Sequence, residues 1–274
     1  GQFLVHSGGF PSIDRIDPDQ PDHLGYNPAI SGLNLNYNRV HFEWKRSDQS
    51  FSVAMDARTA RYNPAVTMAR MRIIERDMPV YTYKDGVRFD NWTVASTALG
   101  NGGSRWLPVR KPEHYAADVF RTLARAQGIV LKPAQLANGA VRGVQLVSRD
   151  SPPLQRILQG MLRNSTNLTA EVIGMGATLA RGHKAVSLSA SAGQLNRWAG
   201  DRLGLRKIRL VDHSGLDDRS RISASDMVGA LVRMGPDSTL AAILKQVPMR
   251  DQKGNLVPNS PVVIHAKTGT LNFV

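Results

Sequence analysis

Two short segments of the chain carry residue types suited to acyl transfer. The first, Lys267-Thr268-Gly269-Thr270, follows Val262-Val263-Ile264-His265-Ala266, an apolar run that reads as a buried strand. Side chains at i and i+2 share a face of an extended strand. Lys267 and the bare position at Gly269 therefore look the same way and leave room for a substrate backbone alongside. The Lys267 ammonium, with a hydroxyl from Thr268 or Thr270, would receive a carboxylate by charge-assisted hydrogen bonds, while a strand N–H would face a developing oxyanion. Lys-Thr-Gly by itself recurs by chance in about one chain of this length in twenty, so it needs a companion.

That companion is Asn164-Ser165-Thr166-Asn167. Ser165 and Asn167 stand at i and i+2 between two helical runs, so an extended loop would point both side chains into one cleft. Ser and Asn are also preferred helix N-caps and Leu168 opens an apolar run, so an ordinary cap accounts for the same residues. Other chemistries lack their residues. The chain has no Cys, which excludes disulfides, thiolate zinc, iron–sulfur clusters and a cysteine nucleophile. Its seven His are scattered, without an i, i+4 pair or a His-Glu-x-x-His, so no metal site is expected. No phosphate-cradling Walker loop exists, and Gly100 and Gly102 lack a third Gly at position 105, so no cofactor is expected either. His213-Ser214-Gly215 reads as a turn, because a His cannot easily fold back onto its neighbour's hydroxyl.

The elements that must position these residues change character near residue 110. Before it, Val40, Phe42 and Trp44 alternate with polar partners, Arg46-Ser47-Asp48-Gln49 turns the chain, and Phe51, Val53 and Met55 alternate again, which is a hairpin with one buried face. After it the pattern is helical: Pro112 opens a run with Tyr115, Val119 and Leu123 at four-residue spacing, and further helices are expected over 153–162, 168–181, 192–203, 223–234 and 239–247. Strands are expected at 208–211 and 262–266. The composition, 42% hydrophobic and 21% charged in 274 residues, is globular, and no stretch approaches the roughly 18–20 apolar residues of a membrane span. A net charge of +13, from 26 Arg and 9 Lys, raises a nucleic-acid or anionic-polymer binder as a competing class, but no reading motif for DNA or RNA accompanies it.

In their order and context the two segments resemble the penicillin-binding proteins of the D-alanyl-D-alanine carboxypeptidase/endopeptidase type, the low-molecular-mass class C group. SPPLQRILQGMLRNSTNLTAEVI, VDHSGLDDRSRIS and HAKTGTLN look like that family's blocks, and YNPAISGLNLNYNRV and KPEHYAADVFRTLARAQGI look like its upstream segments, so the likeness spans most of residues 26–274. The resemblance implies an α/β (α+β) transpeptidase-like domain of the penicillin-binding-protein/β-lactamase type over residues 111–274, with residues 1–110 as an inserted β-rich region. It implies a serine DD-peptidase acting on peptidoglycan stem peptides, inhibited by β-lactams, in the periplasm, without cofactor, nucleic acid or membrane span. Ser165 would relay a proton to the leaving amine, Asn167 would hold the substrate amide, and Lys267 would polarise the site. Thr268 and Thr270 would grip the terminal carboxylate. No Ser is followed three residues later by Lys, so the family's Ser-x-x-Lys nucleophile is not in this chain, which reads as an incomplete, internal fragment, inactive alone. A β-lactamase of the same superfamily is the near rival, and a non-catalytic peptidoglycan- or partner-binding module is the alternative.

Overall fold

The computed structural model describes residues 1–48, 50–137, 139 and 142–269. In chain order the elements are β1 (Leu4–Val5), β2 (Arg39–Ser47), β3 (Ser50–Asp56), β4 (Ala69–Ile74), β5 (Tyr81–Asp85), β6 (Asp90–Ala95), β7 (Gly102–Pro108), α1 (Pro112–Ala126), β8 (Gln135–Leu136) and α2 (Leu154–Asn164). There follow α3 (Asn167–Ala180), α4 (Leu188–Leu203), β9 (Ile208–Arg209), β10 (Arg221–Ile222), α5 (Ala224–Met234), α6 (Thr239–Ile243), β11 (Lys245–Val247) and β12 (Ile264–Ala266).

Two three-stranded sheets make the first half. One is antiparallel in the order β3-β2-β7, and the other has the order β4-β6-β5 with β4 parallel and β5 antiparallel to β6. The alternation of Val40, Phe42 and Trp44 places them on the core face of β2, where Val40 and Phe42 join Trp92 and Val94 of β6 and Leu107 of β7 in one apolar cluster. Helix α1 starts at Pro112, whose absent N–H is no loss at a first helical position, and seals the cluster with Tyr115 and Val119. Leu123, the third member of the same row, is exposed.

The second half is helical. Its apolar contacts centre on Leu168 and Met175 of α3 and Leu188 of α4, against Ile16 and Ile30 from the N-terminal stretch. That stretch is tied to the sheets by Arg110, whose guanidinium donates to the carbonyls of Asp14 (3.1 Å), Asn27 (2.7 Å) and Asp22 (2.9 Å), while the Arg110 N–H donates to Asp90 (2.9 Å).

Two expectations change. The helix expected over 239–247 stops at Ile243, because Leu244 turns extended and Lys245–Val247 instead ladders antiparallel with β12, pairing Val247 with Ile264 and Lys245 with Ala266. The strand expected over 262–266 is confined to Ile264–Ala266 and is not buried: Val262 and Val263 are 55% and 64% exposed. Paired only with the short strand β11, this apolar run stays largely open to solvent.

Candidate active site

Ser165 closes α2. It sits in the left-handed region (φ 52°, ψ 50°), where its N–H and that of Thr166 both turn back to the Met161 carbonyl. Glycine usually fills such a closing position, and an L-residue there costs roughly 1–2 kcal/mol. The next residue, Thr166, is extended and is the N-cap of α3, yet its side chain makes no capping bond. Ser165 is therefore the end of one helix and not the cap of the next. Asn167 is the first residue of α3, and its Nδ2 donates to the Tyr26 carbonyl at 3.0 Å.

Lys267 follows β12 directly. The paired strand ends at Ala266, so Lys267, Thr268 and Gly269 continue the chain just beyond the ladder. The Lys267 Nζ donates to Ser165 Oγ at 2.7 Å, across 102 residues of sequence, and also to the Thr268 carbonyl. An ammonium so placed stabilises negative charge developing on the hydroxyl and orders its proton. Thr268 and Gly269 are exposed, and a Cβ added at Gly269 would meet nothing within 4 Å, so the space beside it is open. Thr270 lies outside the described residues. The structure thus joins Ser165 to Lys267, while Asn167 turns to Tyr26 with no hydrogen bond to either among the described residues.

Helix α3, which begins just after Ser165, also carries a buried polar seam that the sequence reading missed. Along α3, Asn167, Glu171, Gly174 and Thr178 recur at i, i+4, i+7 and i+11, which is one helix face. Glu171 is fully buried and accepts the N–H groups of His213 (3.0 Å) and Ser214 (2.8 Å). Loss of solvent raises its pKa to about 7, despite those hydrogen bonds, which act in the opposite direction. His213 turns its ring away from its neighbour Ser214 and bonds Ser191 Oγ at 2.8 Å, and Ser191 in turn bonds Thr178 Oγ1 at 2.7 Å. Burial lowers the His213 pKa, so the ring is neutral at pH 7. The ring lies so close to α3 that a Cβ at Gly174 would fall 2.2 Å from it, which only glycine permits. One signal for this seam was legible: Glu171 is the single charge in the otherwise apolar and small helix NLTAEVIGMGATLA. None of these residues forms a metal-ligating group, and the one such group among the described residues lies in β2 and β3.

Over residues 12–274 the chain matches the D-Ala-D-Ala carboxypeptidase 3 (S13) family. No curated protein matches it. Among solved structures it is similar to penicillin binding protein 4 (dacB) from Haemophilus influenzae, with a TM-score of 0.67 and 17% identity, covering 98% of this chain and 61% of that one. It is also similar to the same protein complexed with a novel β-lactam, with a TM-score of 0.60 and 18% identity, over 88% of this chain and 57% of that one. The likeness establishes the mixed α/β fold of that penicillin-binding group, and the chain spans about three fifths of the length of these structures.

Proposed function

Because the chain belongs to the D-Ala-D-Ala carboxypeptidase 3 (S13) family, we propose that it supplies the proton-relay and carboxylate-binding half of a serine-type DD-peptidase site acting on peptidoglycan stem peptides. The observation that carries the reading is the 2.7 Å bond from Lys267 Nζ to Ser165 Oγ. It unites an ammonium and a hydroxyl that nothing local would bring together, and the hydroxyl is held on a strained left-handed residue, as functional positions often are.

In this reading a serine nucleophile from outside the 274 residues attacks the D-Ala-D-Ala carbonyl, and the acyl-enzyme is then hydrolysed. Ser165 passes a proton to the departing amine. Lys267 lowers the energy of the partly deprotonated Ser165 hydroxyl. Asn167 offers its amide to the substrate backbone with the N–H not taken by Tyr26, and Thr268, Gly269 and Thr270 line the berth of the terminal carboxylate. The division of residues 1–110 as an inserted region and 111–274 as part of the transpeptidase-like domain, the periplasmic setting and susceptibility to β-lactams belong to the same proposal.

The test is covalent labelling of the full gene product by a fluorescent penicillin. Lys267→Ala is expected to abolish labelling within the assay time, since loss of a positioned proton-transfer partner costs about 10²- to 10⁴-fold in rate. Labelling at the parent rate would remove Lys267 from the site. A gene product that binds stem peptide but never labels would point instead to the non-catalytic binding module.

A further inference from the structure

One face of the β2–β3 hairpin buries two polar side-chain atoms that have no hydrogen-bond partner among the described residues, His41 Nδ1 and Asp56 Oδ1. His41 and Glu43 are i and i+2 on β2, on the face opposite the Val40–Phe42–Trp44 core row, and Asp56 of β3 stands directly across from His41 in the ladder. Trp106 of β7 flanks His41 on the other side, its ring edge-on at 4.9 Å. The side chains of His41 and Asp56 are only 7% and 8% exposed. Nevertheless His41 Nδ1 and Asp56 Oδ1 make no hydrogen bond, and Nδ1 stands 3.9 Å from Asp56 Oδ2, beyond hydrogen-bond reach. Buried polar atoms left in this way are costly and call for an explanation.

We propose that His41, Glu43 and Asp56 form a binding site for a divalent transition cation of the zinc class. One donor atom from each residue lies within 4.8 Å of the others. Bonds of about 2.0–2.1 Å to a tetrahedral cation would separate donors by about 3.4 Å, so side-chain rotation of the order of an ångström closes the site. A single imidazole with two carboxylates suits zinc, manganese or cobalt better than magnesium or calcium, which take oxygen donors, and no thiolate is present to select copper(I). The sequence shows no His pair at helical spacing because these donors meet across a hairpin, where direct cross-strand opposition replaces i, i+4.

Arg58, two residues beyond β3, now holds the place of the cation. Its guanidinium bonds Glu43 Oε2 at 2.6 Å and Asp56 Oδ2 at 2.9 Å but leaves His41 Nδ1 and Asp56 Oδ1 unserved. Its side chain is 37% exposed, so it has a path to solvent. Cation and guanidinium compete for the same carboxylates, and the metal would satisfy the two atoms that arginine does not. Bound there, it would clamp β2 to β3 and stabilise the β-rich half by mass action.

The experiment is calorimetric titration of chelator-stripped, untagged protein with zinc chloride, accompanied by thermal unfolding with and without zinc. Saturable binding of one zinc per chain and a higher unfolding temperature are expected. Glu43→Gln, at a half-exposed position that does not threaten folding, should weaken binding at least about tenfold, and His41→Ala more. Arg58→Ala should tighten it, a gain that neither misfolding nor scattered surface binding produces. Absence of saturable binding in the parent protein, equal affinity in Glu43→Gln, or weaker binding in Arg58→Ala would overturn the proposal.

Discussion

The two halves of the molecule are held together differently. In the β-rich half a continuous apolar cluster runs through β2, β6, β7 and α1, with Phe42, Trp92, Val94, Leu107 and Tyr115 essentially inaccessible to solvent. In the helical half the apolar clusters are smaller, α2 buries none of its residues, and the deepest groups of α3 include the carboxylate of Glu171. Met227, Val228, Leu231 and Val232 of α5 and Val262 to Ile264 remain open. The chain as a whole exposes 18113 Å², against the roughly 12,000 Å² of a compact monomer of its mass. The lesson is that both halves carry buried polar bonds, Arg110 and Asp90 in the one and Glu171 in the other, but only the β-rich half sets them beside a large apolar cluster, so the half bearing the Ser165–Lys267 pair has less apolar burial behind its polar groups.

The largest effect should come from the apolar side of this contrast. Trp92→Ala is expected to cost about 3–5 kcal/mol by chemical denaturation, while Val232→Ala, at a position 73% exposed, should change stability by no more than about 0.5 kcal/mol. Equal losses at the two sites would erase the distinction.

Next in size is the polar seam. A carboxyl whose pKa rises from 4.5 unfolded to about 7 folded retains its proton longer in the native state. Its burial therefore opposes folding as pH climbs through that window, with no penalty below 4.5 and the full penalty, at most about 3 kcal/mol, above 7. Asp90, raised to about 6 chiefly by burial, adds a slope of the same sign centred at lower pH, and His23, His41, His114 and His213, all lowered from 6.5 chiefly by burial, add slopes of opposite sign, so Glu171 is read from the difference between parent and variant. Unfolding free energy measured across pH 6 to 7 should fall more steeply, or rise less steeply, with pH in the parent protein than in Glu171→Gln. A slope unchanged by the substitution would move the titrating group elsewhere.

Smallest in energy, and sharpest in meaning, is Ser165→Gly. Relief of the left-handed strain, offset by the greater freedom of an unfolded glycine, should stabilise the chain by about 0.5–1 kcal/mol while removing the hydroxyl that Lys267 grips. Slowed penicillin labelling with raised stability would mark strain retained for function. Loss of stability would instead make the Lys267 bond a structural tie.

Much of this molecule is written locally. Period-two alternation of Val40, Phe42 and Trp44 specified a strand and its buried face, Pro112 and the four-residue spacing of Tyr115 and Val119 specified α1, and the ordered blocks around Ser165 and Lys267 carried the family resemblance. Local pattern reports which face a residue takes and not which partner it meets. The Lys267 bond to Ser165, the burial of Glu171 under His213 and Ser214, the cross-strand meeting of His41 with Asp56, and the conversion of Lys245–Val247 from expected helix to strand were all decided by tertiary structure. Each depends on contacts between segments distant in sequence, whose free energy of packing and desolvation outweighs the propensity of the residues themselves.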